Sequence, residues 1–231
     1  MDMLQLRERE IFETLREIRK HRFAVIGGYA VNAYSLPRFS VDCDIVIEDE
    51  SRLGNIEKEL EKMKYVKQQT NHINLPFHEE FRRYEKKIAK NFMVSIDIMI
   101  KYVSDRKTHG LFTAEWIFKN SASRQLKGKT ITEKLRLRII NPDALIVTKF
   151  VSCRSTYIRD IFMLIVHADD VKWIKQEVIK RCDFNERFAS ISDKIISPKF
   201  KDNLQGVYGY IDNNLFEKHK KAILDLGKNF E

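Results

Sequence analysis

The sequence has few cysteines and no long apolar run. Cys43, Cys153 and Cys182 are the three cysteines; they are far apart and odd in number, which argues against a disulfide framework or a metal-binding pair. Reduced thiols of this kind are typical of a cytoplasmic protein. No apolar stretch approaches the roughly 20 residues that cross a bilayer. The charged beginning, MDMLQLRERE, also lacks the apolar core of a signal peptide. We therefore expect a cytoplasmic protein with no membrane partner.

The charge balance leaves the partner open. The 231 residues contain 42 Lys+Arg against 33 Asp+Glu, a net charge of +9. An excess of positive charge favours a polyanion such as nucleic acid, but Lys- and Glu-rich chains are also simply soluble or heat-adapted proteins. The hydrophobic fraction of 43% is ordinary for a globular protein. The length allows one large domain or two small ones.

Hydrophobic periodicity divides the chain near residue 141. Strands are predicted at 23–26, 41–47, 65–69, 82–88 and 92–101, and as a hairpin around Gly128 within 124–140. Helices are predicted at 4–21, 29–34, 113–120 and 51–64, the last with Ser51 as its N-cap. Helical patterns then follow at 142–153, 157–168, 171–182, 185–195 and 213–227. The expected fold is α+β, with an α/β domain at 1–141 and a helical domain at 142–231.

Two carboxylates interrupt the apolar segment VDCDIVI. Alternate residues of a strand share a face, so Asp42 and Asp44 lie opposite Cys43. Paired carboxylates repel each other, and a divalent cation removes that penalty; hard oxygen ligands open to phosphate suit Mg²⁺ or Mn²⁺. Asp97 is a similar charge within VSIDIMI, so neighbouring strands would join it to the pair as a two-metal platform. A solvated turn or an exposed strand face remains the alternative for these acids.

A glycine pair lies between a predicted strand and a predicted helix. Gly27 and Gly28 would let backbone amides approach a phosphate there. The dinucleotide pattern G-x-G-x-x-G and the P-loop pattern are both absent. A tight strand-to-helix turn explains the glycines equally well.

Taken together, these motifs resemble the nucleotidyltransferase superfamily of the DNA polymerase β type. The closer likeness is to AbiEii-like nucleotidyltransferases, found among the toxins of toxin–antitoxin systems, which typically read G-G-[TY]-A and then S-x-D-x-D. Here the motifs read GGYA at 27–30 and SVDCD at 40–44. The resemblance covers roughly residues 20 to 165. It implies a small mixed sheet flanked by helices, followed by a helical domain, and an NTP bound at Gly27, Gly28 and Ser40 by a Mg²⁺-dependent site of Asp42, Asp44 and Asp97.

A second block of the resemblance lies in the helical part. TKFVSCRSTYIRD supplies Lys149, Arg154, Arg159 and Asp160 to the family's K-x-x-x-x-R and following Arg/Lys-Asp; Met163 stands where members often carry another acid. The resemblance implies catalytic roles for Lys149 and Asp160 and nucleotide contacts for Lys149 and Arg154. From the residues themselves, a lysine among apolar neighbours needs an anion, either a triphosphate or an internal carboxylate. Asp160 could orient a cation, contact the nucleotide or favour a helix N-terminus.

We therefore predict a nucleotidyltransferase with catalytic residues Asp42, Asp44, Asp97, Lys149 and Asp160, in which Lys149 clamps the nucleotide between the two domains. The acceptor is a tRNA 3′ end, another RNA or a protein hydroxyl, with a cognate antitoxin as a further partner. The basic segments 81–90 and 127–138, with Tyr84 and Tyr102 for base stacking, are predicted to hold RNA; solvated strand faces are the alternative. Two other functions stay open. One is a non-catalytic nucleotide- or partner-binding module. The other is a small-molecule, antibiotic-type nucleotidyltransferase with an acidic pocket.

Overall fold

The computed structural model describes residues 2–69, 80–105 and 108–228. They fall into two compact units. The first comprises 1–33, 37–104 and 112–140, and the second comprises 34–36, 105–111 and 141–231. The main division lies between Ile140 and Asn141, and two short earlier segments are grouped with the helical unit. The assignment of 1–141 and 142–231 as two domains stays a prediction.

The described residues of the first unit form a seven-stranded mixed sheet, a two-stranded sheet and four α-helices. The helices are α1 Met3–Ile18, α2 Gly27–Val31, α3 Leu53–Lys62 and α4 Ala114–Lys119. The strands are β1 Ala24–Val25, β2 Asp42–Ile47, β3 Val66–Lys67, β4 Phe81–Ala89, β5 Phe92–Ile100, β6 Tyr102–Ser104, β7 Leu111–Thr113, β8 Ser121–Lys127 and β9 Lys134–Ile140. The strands predicted from the sequence are present, whereas β6 and β7, which pair with each other, were not predicted.

Seven strands form one sheet in the order β3-β4-β5-β2-β1-β9-β8. Strand β2 runs parallel to β5, and β1 is antiparallel to β2 but parallel to β9. One face of the central strands is apolar, and Cys43, Ile45, Ile96 and Ile98 are buried there as the alternation predicted. The predicted α+β class, a small mixed sheet with helices followed by a helical region, is confirmed.

Two local predictions in the first unit are wrong in detail. The glycine pair does not precede α2 but forms its first two residues. Ser51 is not the N-cap of α3; it lies in the 3₁₀ turn Glu50–Arg52 that precedes the helix, and its hydroxyl donates to Asp49 instead. A Ser side chain satisfied by its neighbour two residues back is a common competitor of helix capping.

The second unit is helical within the described residues. Its helices are α5 Pro142–Ser152, α6 Ser155–Leu164, α7 Val171–Ile179, α8 Phe184–Ile196, α9 Phe200–Tyr208 and α10 Asn213–Leu226. Asn141 caps α5 by accepting from the Ala144 amide at 2.8 Å, with Pro142 at the first helical position. Helix α9 was not predicted. Across the described ranges, no helix is long and apolar enough to cross a membrane.

Candidate active site

Three acidic side chains lie on one face of the first unit's sheet. Strands β2 and β5 are adjacent and parallel, with Asp44 opposite Asp97 and Asp42 opposite Ser95. Register partners in neighbouring strands point to the same face, as do residues two apart in one strand. The predicted adjacency of the two acid-bearing strands is therefore confirmed, and Asp42, Asp44 and Asp97 share the face opposite Cys43. We call this side of the sheet the carboxylate face.

Arg83 on β4 binds the carboxylate of Asp97. Its Nε donates to Oδ1 at 2.8 Å and its Nη2 to Oδ2 at 2.6 Å, while Nη2 also lies 3.7 Å from Oδ2 of Asp42. Burial raises the pKa of the Asp97 carboxyl above its ordinary value, and the two bonds from Arg83 oppose that shift. Arg83 thus stabilises the carboxylate of a residue that is only 4% exposed as a whole.

The β4–β5 hairpin explains why this arginine faces Asp97. Asn91 takes the left-handed conformation (φ 57°) at the turn, and the register shifts between Lys87 and Ala89. If the pairing of Ala89 with Phe92 had continued unshifted, Tyr84 would stand opposite Asp97. The β-bulge shifts the pairing register by one residue, so Arg83 stands opposite Asp97 instead. Sequence reasoning assigned Arg83 to a basic segment and missed this role.

The glycine pair packs against the carboxylate face. Gly27 has φ of 65°, and a Cβ built on it would overlap the carboxylate of Asp44. A Cβ on Gly28 would overlap the hydroxyl of Ser40 and lie 3.2 Å from Nη2 of Arg38. Position 27 therefore requires glycine, because its left-handed backbone and the close approach of Asp44 disfavour any side chain. At Gly28 a side chain would have to move Ser40.

Arg38 is a second cation that sequence reasoning missed. Its backbone is fixed by Asn32, which donates to the Arg38 carbonyl at 2.9 Å and accepts from the Arg38 amide at 3.0 Å. Its Nη1 donates to the Phe39 carbonyl at 3.0 Å. The available signal was its position two residues before Ser40, within the loop that joins α2 to β2.

The acid set suits a magnesium ion held by two protein carboxylates. Mg²⁺ is commonly bound by one or two carboxylates together with substrate phosphates, and Asp42 and Asp44 supply hard oxygen donors on one face. Within the described part of the chain, no group of three His, Cys, Asp or Glu side chains is arranged to hold a metal ion. A three-ligand site that includes Asp97 stays a prediction. In this structure both carboxylate oxygens of Asp97 accept hydrogen bonds from Arg83.

Lys149 and Asp160 are paired with each other inside the second unit. Lys149 Nζ donates to Asp160 Oδ2 at 2.7 Å, and these side chains are 2% and 0% exposed. The Tyr208 hydroxyl donates to Asp160 Oδ1 at 2.6 Å, and the Tyr157 ring lies 4.2 Å from the lysine nitrogen. The anion that Lys149 needs is thus an internal carboxylate, one of the two alternatives left open by the sequence.

Two interpretations of the residues around Lys149 can be judged from this geometry. Asp160 lies in the middle of α6, so its interpretation as a charge at a helix N-terminus is wrong. Arg154 precedes α6 and is half-exposed; its Nη2 lies 3.9 Å from Asp105 and its Nη1 donates to the Tyr157 hydroxyl at 3.4 Å. Nucleotide contacts by Lys149 and Arg154, and the clamp between domains, stay predictions.

The first basic segment is engaged by acids of its own unit. Tyr84 is 2% exposed and hydrogen-bonds Glu57, so the prediction that it stacks on RNA bases is wrong. On that same side of β4, away from Asp97, Lys86 donates to Glu10 at 2.7 Å and Arg82 pairs with Glu50 at 3.3 Å.

The β8–β9 hairpin is different, because its cations lie on an exposed strand face. Val25 pairs with both Ile45 and Ile139, so the alternate residues of β9 share the carboxylate face. These are Lys134, Arg136 and Arg138, which are exposed. Lys127 stands directly opposite Lys134, an unfavourable pairing of like charges. Among the described residues, Lys127, Lys134 and Arg136 make no ion pair. We use the name basic strip for the four cations Lys127, Lys134, Arg136 and Arg138.

Comparison with known proteins supports the fold. No family model matches the sequence, and no curated protein matches it. Among solved structures, the MenT4 nucleotidyltransferase toxin of Mycobacterium tuberculosis matches with a TM-score of 0.58 at 10% identity, covering 99% of this chain and 85% of that one. This confirms the predicted nucleotidyltransferase fold.

Two further solved structures match at lower similarity. A protein of H. pylori described as a nucleotidyltransferase has a TM-score of 0.47 and 14% identity, with 98% of this chain and 92% of that chain covered. A nucleotidyltransferase-like antigenic protein of Paracoccidioides brasiliensis has a TM-score of 0.47 and 16% identity, with 93% and 96% covered.

Proposed function

We propose that this protein is a metal-dependent nucleotidyltransferase that transfers an NMP from an NTP to an acceptor hydroxyl. The observation that carries the proposal is the pairing of Asp44 with Asp97 on adjacent parallel strands, with Asp42 on the same face and Gly27 against Asp44. The fold shared with the MenT4 toxin supports it. The fold alone also accommodates a non-catalytic module, but such a module has no need of three acids on one face.

Asp42 and Asp44 are the residues that would hold Mg²⁺ or Mn²⁺. When bound, the ion would offset the charge of the phosphates and favour deprotonation of the attacking hydroxyl. Gly27 lies beside Asp44, and Ser40 lies beside Gly28, so this turn would offer a hydroxyl and backbone amides to the phosphates. The acceptor oxygen bonds to the α-phosphorus, the bond from that phosphorus to the β-phosphate oxygen breaks, and pyrophosphate leaves. The hydroxyl proton passes to a carboxylate or to water.

RNA is the acceptor class that the charge distribution favours. The basic strip shares the carboxylate face and carries like charges directly opposite each other. A phosphate backbone would relieve that repulsion, and such contacts are strongly salt-dependent. A protein hydroxyl remains the second acceptor class. A cognate antitoxin and a role as a toxin rest on the resemblance and on the MenT4 comparison.

The direct test is incubation with each α-labelled NTP, total RNA and Mg²⁺ or Mn²⁺, followed by separation of labelled RNA from labelled protein. We expect label on RNA, none with a chelator and none with Asp44→Asn. Asp49→Asn is the matched control, because Asp49 lies just beyond the same strand and is 45% exposed. Metal-dependent NTP binding without any labelled product would support the non-catalytic module instead. Label found on protein alone would mean that the acceptor is a protein hydroxyl and not RNA.

A further inference from the structure

Arg83 and Asp97 differ in how far each reaches solvent. The Asp97 side chain is 6% exposed, whereas that of Arg83 is 37% exposed, the same as that of Asp42. The two bonds of 2.8 and 2.6 Å form a bidentate pair that fixes the plane of the guanidinium group. The buried acid therefore holds a half-exposed arginine in one orientation on the carboxylate face.

Only part of the hydrogen-bonding capacity of Arg83 is used by Asp97. A guanidinium group has five N–H donors. One N–H of Nε and one of Nη2 bind Asp97, and Nη2 also lies 3.7 Å from Asp42. Nη1 makes no hydrogen bond to any described residue. Two N–H groups of a fixed, half-exposed arginine are thus available to an anion.

A metal ion at Asp97 would have to bind oxygens that both already accept from Arg83. The metal ion and the guanidinium group would then repel each other across one carboxylate, which favours displacement of Arg83. No such displacement is needed if the metal binds Asp42 and Asp44, since two carboxylates with substrate phosphates suffice for Mg²⁺. The bidentate pair with Asp97 then leaves the two N–H groups of Nη1 for the substrate, and phosphate oxygens are suitable acceptors for a guanidinium group.

We infer that Asp97 is a positioning residue for Arg83, and that Arg83 donates hydrogen bonds to a phosphate of the bound NTP. This inference rests on the proposed function and changes the role expected for Asp97 from metal ligand to anchor of an arginine. The site then consists of two carboxylates that hold the metal and one oriented cation that binds phosphate.

Nucleotide binding tests the role of Arg83. In the presence of Mg²⁺, we expect Arg83→Gln to weaken NTP binding in calorimetry by about 10- to 150-fold, the loss typical of one charge-assisted contact. Arg83→Lys should recover only part, because a point charge replaces the planar fork. Arg82→Gln is the matched control, since Arg82 is the preceding residue, faces the other side of the sheet and pairs with Glu50. Arg83→Gln binding NTP as tightly as Arg82→Gln would overturn the inference.

Metal binding tests the role of Asp97 without nucleotide. The probe is Mn²⁺ alone, titrated by electron paramagnetic resonance into the double variant Arg83→Gln/Asp97→Asn. This variant removes both charges together, so it neither strands a buried carboxylate nor frees Arg83 to bind Asp42. We expect Mn²⁺ affinity within about threefold of the parent, less than one pairwise charge contact would change it, and a loss of more than tenfold in Asp44→Asn. An equal loss in the double variant would make Asp97 a metal ligand and overturn the inference.

Failure of this inference is distinguishable from failure of the proposed function. If the parent binds no NTP in the presence of Mg²⁺ or Mn²⁺, both the proposed function and the role of Arg83 fail. If the parent binds NTP and transfers NMP but Arg83→Gln does so equally well, only the role of Arg83 fails. Thermal unfolding in the presence of chelator verifies that each variant is folded, and the double variant keeps the test valid if Arg83→Gln alone is unstable.

Discussion

The ion pairs Asp97–Arg83 and Asp160–Lys149 differ in completeness. In the first unit, Asp97 binds Arg83, whose guanidinium is 37% exposed and keeps unused donors beside the acid Asp42. In the second unit, Asp160 binds Lys149 and Tyr208, and the lysine and aspartate are 2% and 0% exposed. One pair is open to a ligand and the other is closed.

The difference indicates what each pair can do without rearrangement. A closed pair, with one partner on each carboxylate oxygen, contributes to the uniqueness of the helical core and is costly to break. An open pair holds a cation ready for an anion. Loss of activity in a Lys149 variant therefore indicates a nucleotide contact only if the stability of that variant has been measured. For Arg83, stability and binding are expected to separate.

Breaking the closed pair should have the largest effect. Lys149→Met keeps an unbranched side chain one atom shorter than lysine but leaves the Asp160 carboxylate buried without its cation. We expect a loss of about 3–5 kcal/mol in the free energy of unfolding, the usual cost of breaking a buried ion pair. Urea unfolding followed by circular dichroism measures it.

The double variant Lys149→Met/Asp160→Asn is the control for this prediction. It removes both charges while an amide oxygen remains to accept from Tyr208, so it should be more stable than Lys149→Met alone. A loss below about 1 kcal/mol in the single variant, within the range of an exposed ion pair, would show that the lysine is not held as the closed pair requires.

The second largest effect is expected in the first unit, at the glycine beside Asp44. Gly27→Ala forces a side chain into the left-handed region and against the Asp44 carboxylate. Strain of about 1–2 kcal/mol and overpacking of about 1–3 kcal/mol predict a loss of about 2–5 kcal/mol, together with weaker Mn²⁺ binding. Thermal unfolding and a Mn²⁺ titration measure the two effects.

Gly54→Ala is the matched control for the change at Gly27. Gly54 lies in α3 and a Cβ there would meet no atom within 4 Å. Alanine should therefore stabilise the protein slightly, by about 0.5–1 kcal/mol, through its higher helix propensity. Equal stabilities of the two variants would mean that Gly27 does not crowd Asp44.

Sequence reasoning predicted the carboxylate face correctly because strand periodicity is local. The alternation in VDCDIVI and VSIDIMI assigns Asp42, Asp44 and Asp97 to the face opposite a buried apolar face, and the structure has them there. The role of Arg83 could not be predicted, since it depends on a β-bulge between Lys87 and Ala89 that decides which residue stands opposite Asp97. No local pattern indicates that bulge.

The closed pair was only half predictable, for a similar reason. A lysine among buried residues predicts a nearby anion, and Ile146 and Phe150 are indeed buried. Tyr208 could not be found, because it lies 48 residues from Asp160 on α9, which was not predicted. Gly206 lowers the helix propensity of that segment, and burial of Phe200 and Leu204 against the unit's core overcomes it.

Removing the tyrosine hydroxyl that donates to the closed pair should have an intermediate effect. Tyr208→Phe deletes the hydroxyl that donates to Asp160 Oδ1 at 2.6 Å while keeping the ring in place. A hydrogen bond to a charged group contributes about 1.5–3 kcal/mol, so we expect a loss of that size in urea unfolding. Tyr210→Phe is the control, because Tyr210 is 84% exposed and should be neutral. An equally small effect of both changes would mean that Lys149 alone satisfies Asp160.

The smallest effect concerns His219, a second buried polar group on the α6 side of the helical core. Its Nδ1 lies 2.6 Å from the Phe162 carbonyl, which only accepts, so Nδ1 carries the proton and donates. Burial is the main cause that lowers the pKa of His219 below its ordinary value, and His167 and Lys218 add to the shift. The unfolded chain then binds a proton near its usual pKa of about 6.5, while the folded protein resists it. Stability should therefore fall as the pH drops below about 6.5 toward the lower pKa of the folded state.

His219→Gln keeps a donor for Phe162, so it should lose only about 1 kcal/mol at pH 7.5. Its free energy of unfolding should change less than that of the parent between pH 7.5 and pH 5.5. His109→Asn, at an exposed left-handed position that asparagine tolerates, should keep the parent's dependence. If the free energy of unfolding changed with pH equally in His219→Gln and in the parent, the folded protein would not resist protonation of His219.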